Sequence, residues 1–148
     1  MKSTPPRSNL SSARGLLIDT GYLIGLTVPR DQYHDQAKRV LSELRRRRVP
    51  VRCPLGSALE LQRALLYTKP PRVEAARQTV EGVLRAYPLV MPSEEDVRSG
   101  MEGLARFNDQ AISLTDAITA SMARREGLAV LTFDVRHYSL LGAELYEG

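Results

Sequence analysis

Four acidic residues stand at positions where carboxylates can hold a metal ion. Asp19 directly follows an apolar run, Asp134 lies just past a second one, and Asp116 and Glu60 lie near the predicted starts of helices. Regular elements aim such groups, while the backbone at their ends opens to solvent. Clustered carboxylates repel one another unless cations or protons neutralise them, and oxygen-only ligands suit Mg²⁺ or Mn²⁺. We therefore predict one acidic, metal-binding site.

The charge of the chain indicates what such a site could act on. The formal net charge is +4, and most of the 21 Lys and Arg residues are Arg. A basic body around an acidic centre suits a polyanion whose reacting phosphate meets metal ions, which can activate water and stabilise a leaving oxygen. Arg-rich surfaces are also common in Arg-biased proteomes, so composition alone leaves the partner open.

Two of the candidate features have structural explanations that the sequence leaves open. Glu60 lies three residues after Ser57, the spacing of a capping box at a helix start. The run Arg45-Arg46-Arg47-Arg48 ends a predicted helix, where cations are favoured by the helix dipole. It could equally contact phosphates.

The elements that must position these residues alternate along the chain. Predicted strands cover residues 15–18, 51–53, 88–91, 128–131 and 144–146. Predicted helices cover residues 31–48, 57–68, 72–87, 116–126 and 135–141, with a further helix opened by Ser93 and a short one near residues 22–26. Thr115 is the predicted cap of the helix at 116–126, and Gly127 its end. This alternation predicts an α/β protein with a mostly parallel sheet, whose ligands lie at the carboxyl ends of the strands.

Length and composition narrow the class of protein. At 148 residues, we expect a flexible arm at 1–14 and a single domain at 15–148. No apolar run approaches the roughly 18 residues of a membrane span, and the first residues do not form a secretory signal. Cys53 is the only cysteine, so no intrachain disulfide can form, which is compatible with a cytoplasmic protein.

Other catalytic classes have weaker support. Motifs of P-loop, dinucleotide-binding and serine-hydrolase type are absent. Leu17-Ile18-Asp19-Thr20 resembles the start of a haloacid-dehalogenase-like phosphotransfer site. However, Gly21 stands where those enzymes carry a second Asp. That alternative predicts hydrolysis of small phosphoesters without RNA cleavage.

Four segments together resemble the motifs of the PIN domain, in the same order and over residues 15 to about 146. They are Leu17-Ile18-Asp19-Thr20-Gly21-Tyr22-Leu23, Ser57-Ala58-Leu59-Glu60-Leu61, Leu114-Thr115-Asp116-Ala117-Ile118 and Val130-Leu131-Thr132-Phe133-Asp134-Val135-Arg136-His137-Tyr138. PIN domains of this size resemble the VapC-type toxins of toxin–antitoxin pairs. The resemblance implies a three-layer α/β/α sandwich and a Mg²⁺- or Mn²⁺-dependent endoribonuclease. It also implies frequent homodimers and inhibition by a cognate antitoxin protein.

The resemblance also assigns residues to roles. By motif position, Asp19, Glu60, Asp116 and Asp134 form the acidic quartet, with the three aspartates as metal ligands. Thr132 is the adjacent hydroxyl that orients a ligand, a metal-bound water or Asp134. Tyr138 stands where a Phe is usual, and we expect it to be simple packing.

The predicted substrate is single-stranded or looped RNA, because unstacked nucleotides can bend into a recessed site. The run Arg45-Arg46-Arg47-Arg48 and the separate Arg136 are candidates for binding its flanking phosphates. The main alternative is a non-catalytic PIN-like module that holds RNA or a protein.

Overall fold

The computed structural model describes residues 13–146, and its centre is a parallel five-stranded sheet of order β3-β2-β1-β4-β5. The strands are β1 (Leu16–Ile18), β2 (Val51–Pro54), β3 (Leu89–Val90), β4 (Ala129–Leu131) and β5 (Leu145–Tyr146). Every neighbouring pair is parallel. The two central strands, β1 and β4, are fully buried, which explains why their sequences are continuously apolar. The predicted α/β class with a parallel sheet is confirmed.

Seven helices in the described part of the chain cover the two faces of this sheet. They are α1 (Thr20–Thr27), α2 (His34–Arg46), α3 (Leu55–Leu66), α4 (Val73–Ala86), α5 (Glu94–Arg106), α6 (Leu114–Glu126) and α7 (Val135–Leu140). Because side chains alternate across a strand, Leu16 and Ile18 pack with α1 to α4, while Leu17 packs with α6 and α7. The result is the predicted three-layer sandwich.

Two helix starts differ from the prediction. Helix α3 begins at Leu55, directly after β2, so Ser57 lies inside the helix and not at its cap. The proposed capping box between Ser57 and Glu60 is therefore wrong, and the buried Ser57 Oγ has no hydrogen-bond partner among the described residues. Helix α6 begins at Leu114, because Ser113 and not Thr115 is its cap and accepts a 3.1 Å hydrogen bond from the Asp116 amide. The start of α3 depends on how β2 ends, whereas at α6 the local sequence offers two possible caps, Ser113 and Thr115.

The packing of α5 against α6 includes a buried carboxylate, Asp96, that is 1% exposed. Asp96 and Ser93 form a capping box at the start of α5. Its carboxylate also accepts hydrogen bonds from Ser121 Oγ (3.0 Å) and from Arg125 Nη2 (2.7 Å) of α6. Burial alone would raise the pKa of Asp96, but the Arg125 guanidinium and these other donors lower it to about 2.

Residues 1–12 of the predicted N-terminal arm lie outside the described residues. Arg14, at the end of that arm, already donates its backbone N–H to the Gly127 carbonyl, 3.2 Å away. Gly127 adopts the left-handed backbone conformation, with φ of 66°, that ends α6. Among the described residues, no helix has the length and apolarity that a membrane crossing requires.

Candidate active site

The candidate site lies where the two central strands end. Asp19 directly follows β1 and Thr132 directly follows β4, and the Asp19 amide donates a 3.0 Å hydrogen bond to the Leu131 carbonyl. Strand β1 is paired with β2 on one side and with β4 on the other. The chain therefore continues from β1 to β2 in one direction across the sheet, and from β4 to β5 in the opposite direction. This is the switch point at which open α/β sheets bind their ligands.

Asp19 is held in place by two hydroxyl donors. The Thr132 Oγ1 donates to Asp19 Oδ2 at 2.9 Å, and the Tyr138 hydroxyl donates to Asp19 Oδ1 at 2.9 Å. The same Thr132 oxygen accepts a 2.9 Å hydrogen bond from the Asp134 amide. One hydroxyl therefore fixes the Asp19 carboxylate and the backbone of Asp134 relative to each other.

Tyr138 also reaches the third carboxylate. Its side chain is fully buried, and its hydroxyl lies 3.2 Å from Asp116 Oδ1 as well as next to Asp19. The expectation that Tyr138 is simple packing is therefore wrong, because the ring brings its oxygen between two carboxylates. A phenol has one proton to donate, so Asp19 and Asp116 share a single donor.

Glu60 and Asp134 are oriented by their own neighbours. Glu60 Oε2 accepts a 2.7 Å hydrogen bond from Thr20 Oγ1, at the first residue of α1. Asp134 caps α7, accepting from the His137 amide at 3.1 Å, and its other oxygen lies 2.9 Å from His137 Nδ1. Thr20, His137 and Tyr138 were not predicted as site residues. Each is adjacent to, or three to four residues from, a predicted acid, but only tertiary structure shows what each side chain contacts.

These four acidic side chains line one open cleft of about 400 Å³. The cleft is also bordered by Asp31, Gln32 and Tyr33, from the segment before α2. None of the described residues that line it is a Lys, Arg or His. The site therefore concentrates negative charge without supplying a cation of its own.

The pKa values of two aspartates in the cleft are raised by burial and by the neighbouring negative charges. Burial raises the pKa of Asp19, despite the hydrogen bonds from Thr132 and Tyr138, and the charge of Glu60 raises it further. Burial and the charge of Asp19 raise the pKa of Asp116 to about 7, with smaller contributions from Glu60 and Asp134. A divalent cation would relieve both effects, and the all-oxygen donor set fits Mg²⁺ or Mn²⁺.

One further side chain lies within reach of the same ion. Asp116, Asp134 and His137 each offer a ligand atom, and these atoms lie within 4.8 Å of one another. A neutral imidazole nitrogen suits Mn²⁺ better than Mg²⁺. In the geometry described here, His137 instead contacts the Asp134 carboxylate and restrains it.

The candidate phosphate-binding arginines lie at two different ends of the sheet. Arg136 is exposed in α7, two residues after Asp134, and so lies on the cleft side. The run Arg45-Arg46-Arg47-Arg48 covers the last two residues of α2 and the two that follow, close to Pro50, whose carbonyl accepts from the first residue of β1. That places the run at the amino ends of the strands, so the structure does not bring it to the acidic cleft.

The fold is an α/β sandwich with an acidic cleft at its switch point, which defines the structural class of the protein. Comparison with family models identifies its family. The model for the PIN domain matches residues 16–140, and the chain belongs to that family. A search of curated protein sequences gave no match.

Several solved structures have a similar fold. Mycobacterium tuberculosis VapC20, described as a sarcin-ricin loop cleaving toxin, matches with a TM-score of 0.71 and 19% identity, over 87% of this chain and 96% of that one. VapBC2 from Rickettsia felis, bound to a promoter DNA fragment, matches with a TM-score of 0.71 and 15% identity, over 89% and 96%. FitAcB from Neisseria gonorrhoeae matches with a TM-score of 0.68 and 15% identity, over 89% and 96%. At these identities the likeness establishes the fold.

Proposed function

We propose that this protein is a Mg²⁺- or Mn²⁺-dependent endoribonuclease and the toxin of a toxin–antitoxin pair. The observation that carries the proposal is the cleft in which four carboxylates from α3, α6 and the ends of β1 and β4 converge without a cation. Membership of the PIN family and the fold shared with a toxin that cleaves the sarcin-ricin loop support the same assignment.

In this proposal, Asp19, Asp116 and Asp134 hold the metal, which when bound supplies a Lewis acid and lowers the pKa of a coordinated water. The protein's contribution is preorganisation. Thr132 links Asp19 to the Asp134 backbone, and Tyr138 links Asp19 to Asp116, so the three ligands are fixed before substrate arrives.

Glu60 is the fourth member of the site and approaches it from α3. Its hydrogen bond from Thr20 restrains one carboxylate oxygen and leaves the other available to orient the attacking water and accept its proton. Attack on phosphorus opposite the 3′-oxygen breaks the bond to that oxygen, which takes up a proton from solvent water as it leaves. The products are a 5′-phosphate and a 3′-hydroxyl.

The substrate we propose is single-stranded or looped RNA. We propose that Arg136, which is exposed in α7 two residues after Asp134, binds a flanking phosphate. The run Arg45-Arg46-Arg47-Arg48 could contact only an RNA that extends around to the opposite edge of the sheet. A cognate antitoxin and a second copy of this chain remain our proposed protein partners.

The proposal is tested by incubating the purified protein with total cellular RNA, in Mn²⁺ or in EDTA. We expect discrete metal-dependent fragments, with 5′-phosphate ends. Asp116→Asn should reduce cleavage by about a thousandfold or more, because several kcal/mol of charge stabilisation depends on the bound metal.

Asp109→Asn is a matched control, since Asp109 is an exposed acid outside the cleft. It should cleave like the wild type. A fully active Asp116→Asn protein would contradict the site assignment. If Mn²⁺ stabilises the wild type but no RNA is cut, the non-catalytic binding module is the better description.

A further inference from the structure

Three aromatic rings form a continuous stack beside the acidic cleft. Phe133 lies 4.0 Å from Tyr22 and 4.1 Å from Tyr33, measured between ring centroids, with interplanar angles of 6° and 15°. Both neighbours are nearly parallel to Phe133, so they cover its opposite faces. Tyr22 is buried at 2% exposure, whereas Tyr33 is 38% exposed. The stack therefore runs from the core to the surface and ends in a tyrosine.

The outer ring is held on a rigid backbone. The Tyr33 amide donates a 2.8 Å hydrogen bond to Asp31 Oδ1, and its carbonyl accepts from the Ala37 amide in the first turn of α2. The next residue, His34, has its Nδ1 2.7 Å from the carbonyl oxygen of Gly25 in α1. This anchors the start of α2 to α1 and fixes the direction of Tyr33.

The stack is also tied to the carboxylates through the chain itself. Its middle ring, Phe133, lies between Thr132, which binds Asp19, and Asp134. Tyr33 and Phe133 both line the cleft that contains the four acids. Any group stacked on Tyr33 is therefore positioned relative to the metal-binding carboxylates.

We propose that the outer face of Tyr33 is a stacking subsite for one nucleobase of single-stranded RNA, beside the phosphate to be cut. This inference rests on the proposed function and deepens it. Stacking on an aromatic ring provides affinity for any base, because every base has a π-face. Protein rings already cover both faces of the middle ring, so an incoming base extends the stack from its outer end.

Two polar neighbours can form hydrogen bonds with the edge of a stacked base. Asp31 uses Oδ1 for the Tyr33 amide, which leaves Oδ2 to accept from a base amino or imino group. Gln32, exposed on the same cleft wall, offers both a donor and an acceptor. Every base offers a partner for these groups, so a preference comes from the stacked ring area, which is larger for adenine and guanine than for uracil.

Binding is measured by fluorescence anisotropy with labelled hexamers of adenylate, of uridylate and of the same backbone without bases. Ca²⁺ replaces Mg²⁺, and a gel at the end of each titration checks that the RNA is intact. We expect Tyr33→Ala to weaken binding of the adenylate hexamer about 5- to 100-fold. Tyr33→Phe keeps the ring and should bind like the wild type.

Two controls separate stacking from general effects. The hexamer without bases should bind wild type and Tyr33→Ala equally, because it has nothing to stack. Tyr67→Ala removes a tyrosine that is 72% exposed and lies outside the cleft, so it should leave binding unchanged. Thermal melting of each variant identifies any loss of binding that arises from unfolding.

A spectroscopic signal tests contact directly. The chain contains no tryptophan, so Tyr33→Trp introduces a single reporter into the stack. Stacking of a base should quench its fluorescence on addition of the adenylate hexamer, whereas Tyr67→Trp should show no quenching. Equal fluorescence changes at positions 33 and 67 would overturn the subsite.

Adenylate binding by Tyr33→Ala within twofold of the wild type would also overturn it, as would an equal loss for the hexamer without bases. Failure of the proposed function is a separate result. A wild-type protein that cuts no RNA in Mn²⁺, yet shows base-dependent binding through Tyr33, would retain the subsite and lose the nuclease.

Discussion

The two ends of α6 lie beside acidic side chains under opposite conditions. Near its carboxyl end, Asp96 accepts hydrogen bonds from Arg125 and Ser121, and its pKa falls to about 2. At its amino end, Asp116 shares one tyrosine hydroxyl with Asp19, and its pKa rises to about 7. Burial alone raises the pKa in both places, so the difference comes from the donors and charges that surround each carboxylate.

The comparison separates a structural acid from one that we propose to be functional. Asp96 has its cation built into the next helix, so its charge stabilises the fold without any ligand. Repulsion between the close carboxylates of the cleft lowers the stability of the folded protein, and a bound external cation would restore that stability. Perturbed carboxylates in a cleft are candidates for function for this reason.

The largest effect that we expect is a loss of folding stability with rising pH, caused by the carboxylates of the cleft. The folded-state pKa of Asp116, about 7, lies above the usual value of 3.8, so the folded protein holds its proton longer than the unfolded chain. Without metal, stability should therefore fall as pH rises from 5 to 8, by up to about 3 kcal/mol. Thermal melting in EDTA across that range measures it.

Two additions check the origin of this slope. Saturating Mn²⁺ should flatten the fall, because the cation neutralises the carboxylates. Asp116→Asn should flatten it without metal. A slope that stays the same in Asp116→Asn would assign the pH dependence to other groups.

A smaller loss is expected when Asp96 is deprived of its cation. Arg125→Ala should lower the free energy of unfolding by about 2 kcal/mol at pH 7, because a buried carboxylate is left with fewer donors. The two proteins should become more alike as pH falls from 3.8 towards 2. Over that range Asp96 gains a proton and its stabilising contribution is lost. Urea denaturation at several pH values measures the difference.

Arg98→Ala is the matched control for that variant. Arg98 also contacts an acid, Glu94, but both side chains are more than two-thirds exposed. Its removal should change stability by less than about 0.5 kcal/mol. Equal losses in the two variants would mean that burial of Asp96 adds nothing to its pairing with Arg125.

The smallest effect is expected at Tyr138, whose hydroxyl donates to carboxylates of the cleft as Arg125 donates to Asp96. Tyr138→Phe should lower metal-free stability at pH 7 by about 1 kcal/mol, since two carboxylates lose their shared donor. Stabilisation by Mn²⁺ should decrease, because Tyr138 no longer links Asp19 to Asp116 and the metal ligands are less preorganised. Melting with and without Mn²⁺ measures both effects. An unchanged response to Mn²⁺ would mean that the hydroxyl does not preorganise the metal ligands.

Much of this fold was predictable because its signals are local. The continuous apolar runs of β1 and β4 and the left-handed Gly127 all lie within a few residues of what they determine. The start of α3 was not predictable, because it depends on how the chain turns after Pro54, and at α6 the sequence offers two cap residues, Ser113 and Thr115. A capping motif marks the start of a helix only when the backbone becomes helical at that residue in the folded protein.

The candidate site divides in the same way. The acids could be proposed from their places at element ends and from motif resemblance, and the structure brings all four into one cleft. Their supporting contacts could not, because Tyr138 and Asp19 are 119 residues apart and Thr20 and Glu60 are 40 apart. Nothing in the sequence shows that the hydroxyl of Tyr138 reaches two carboxylates of this site.

The pairing of β1 with β4 has a consequence for how the protein is made. The hydrogen bond from Thr132 to Asp19 joins residues 113 positions apart. A ribosome that has synthesised β1 and its helices must still add β4 and α7 before the cleft can close. If the protein is a nuclease, its nascent chain stays inactive until α7 has emerged from the ribosome and folded onto β1.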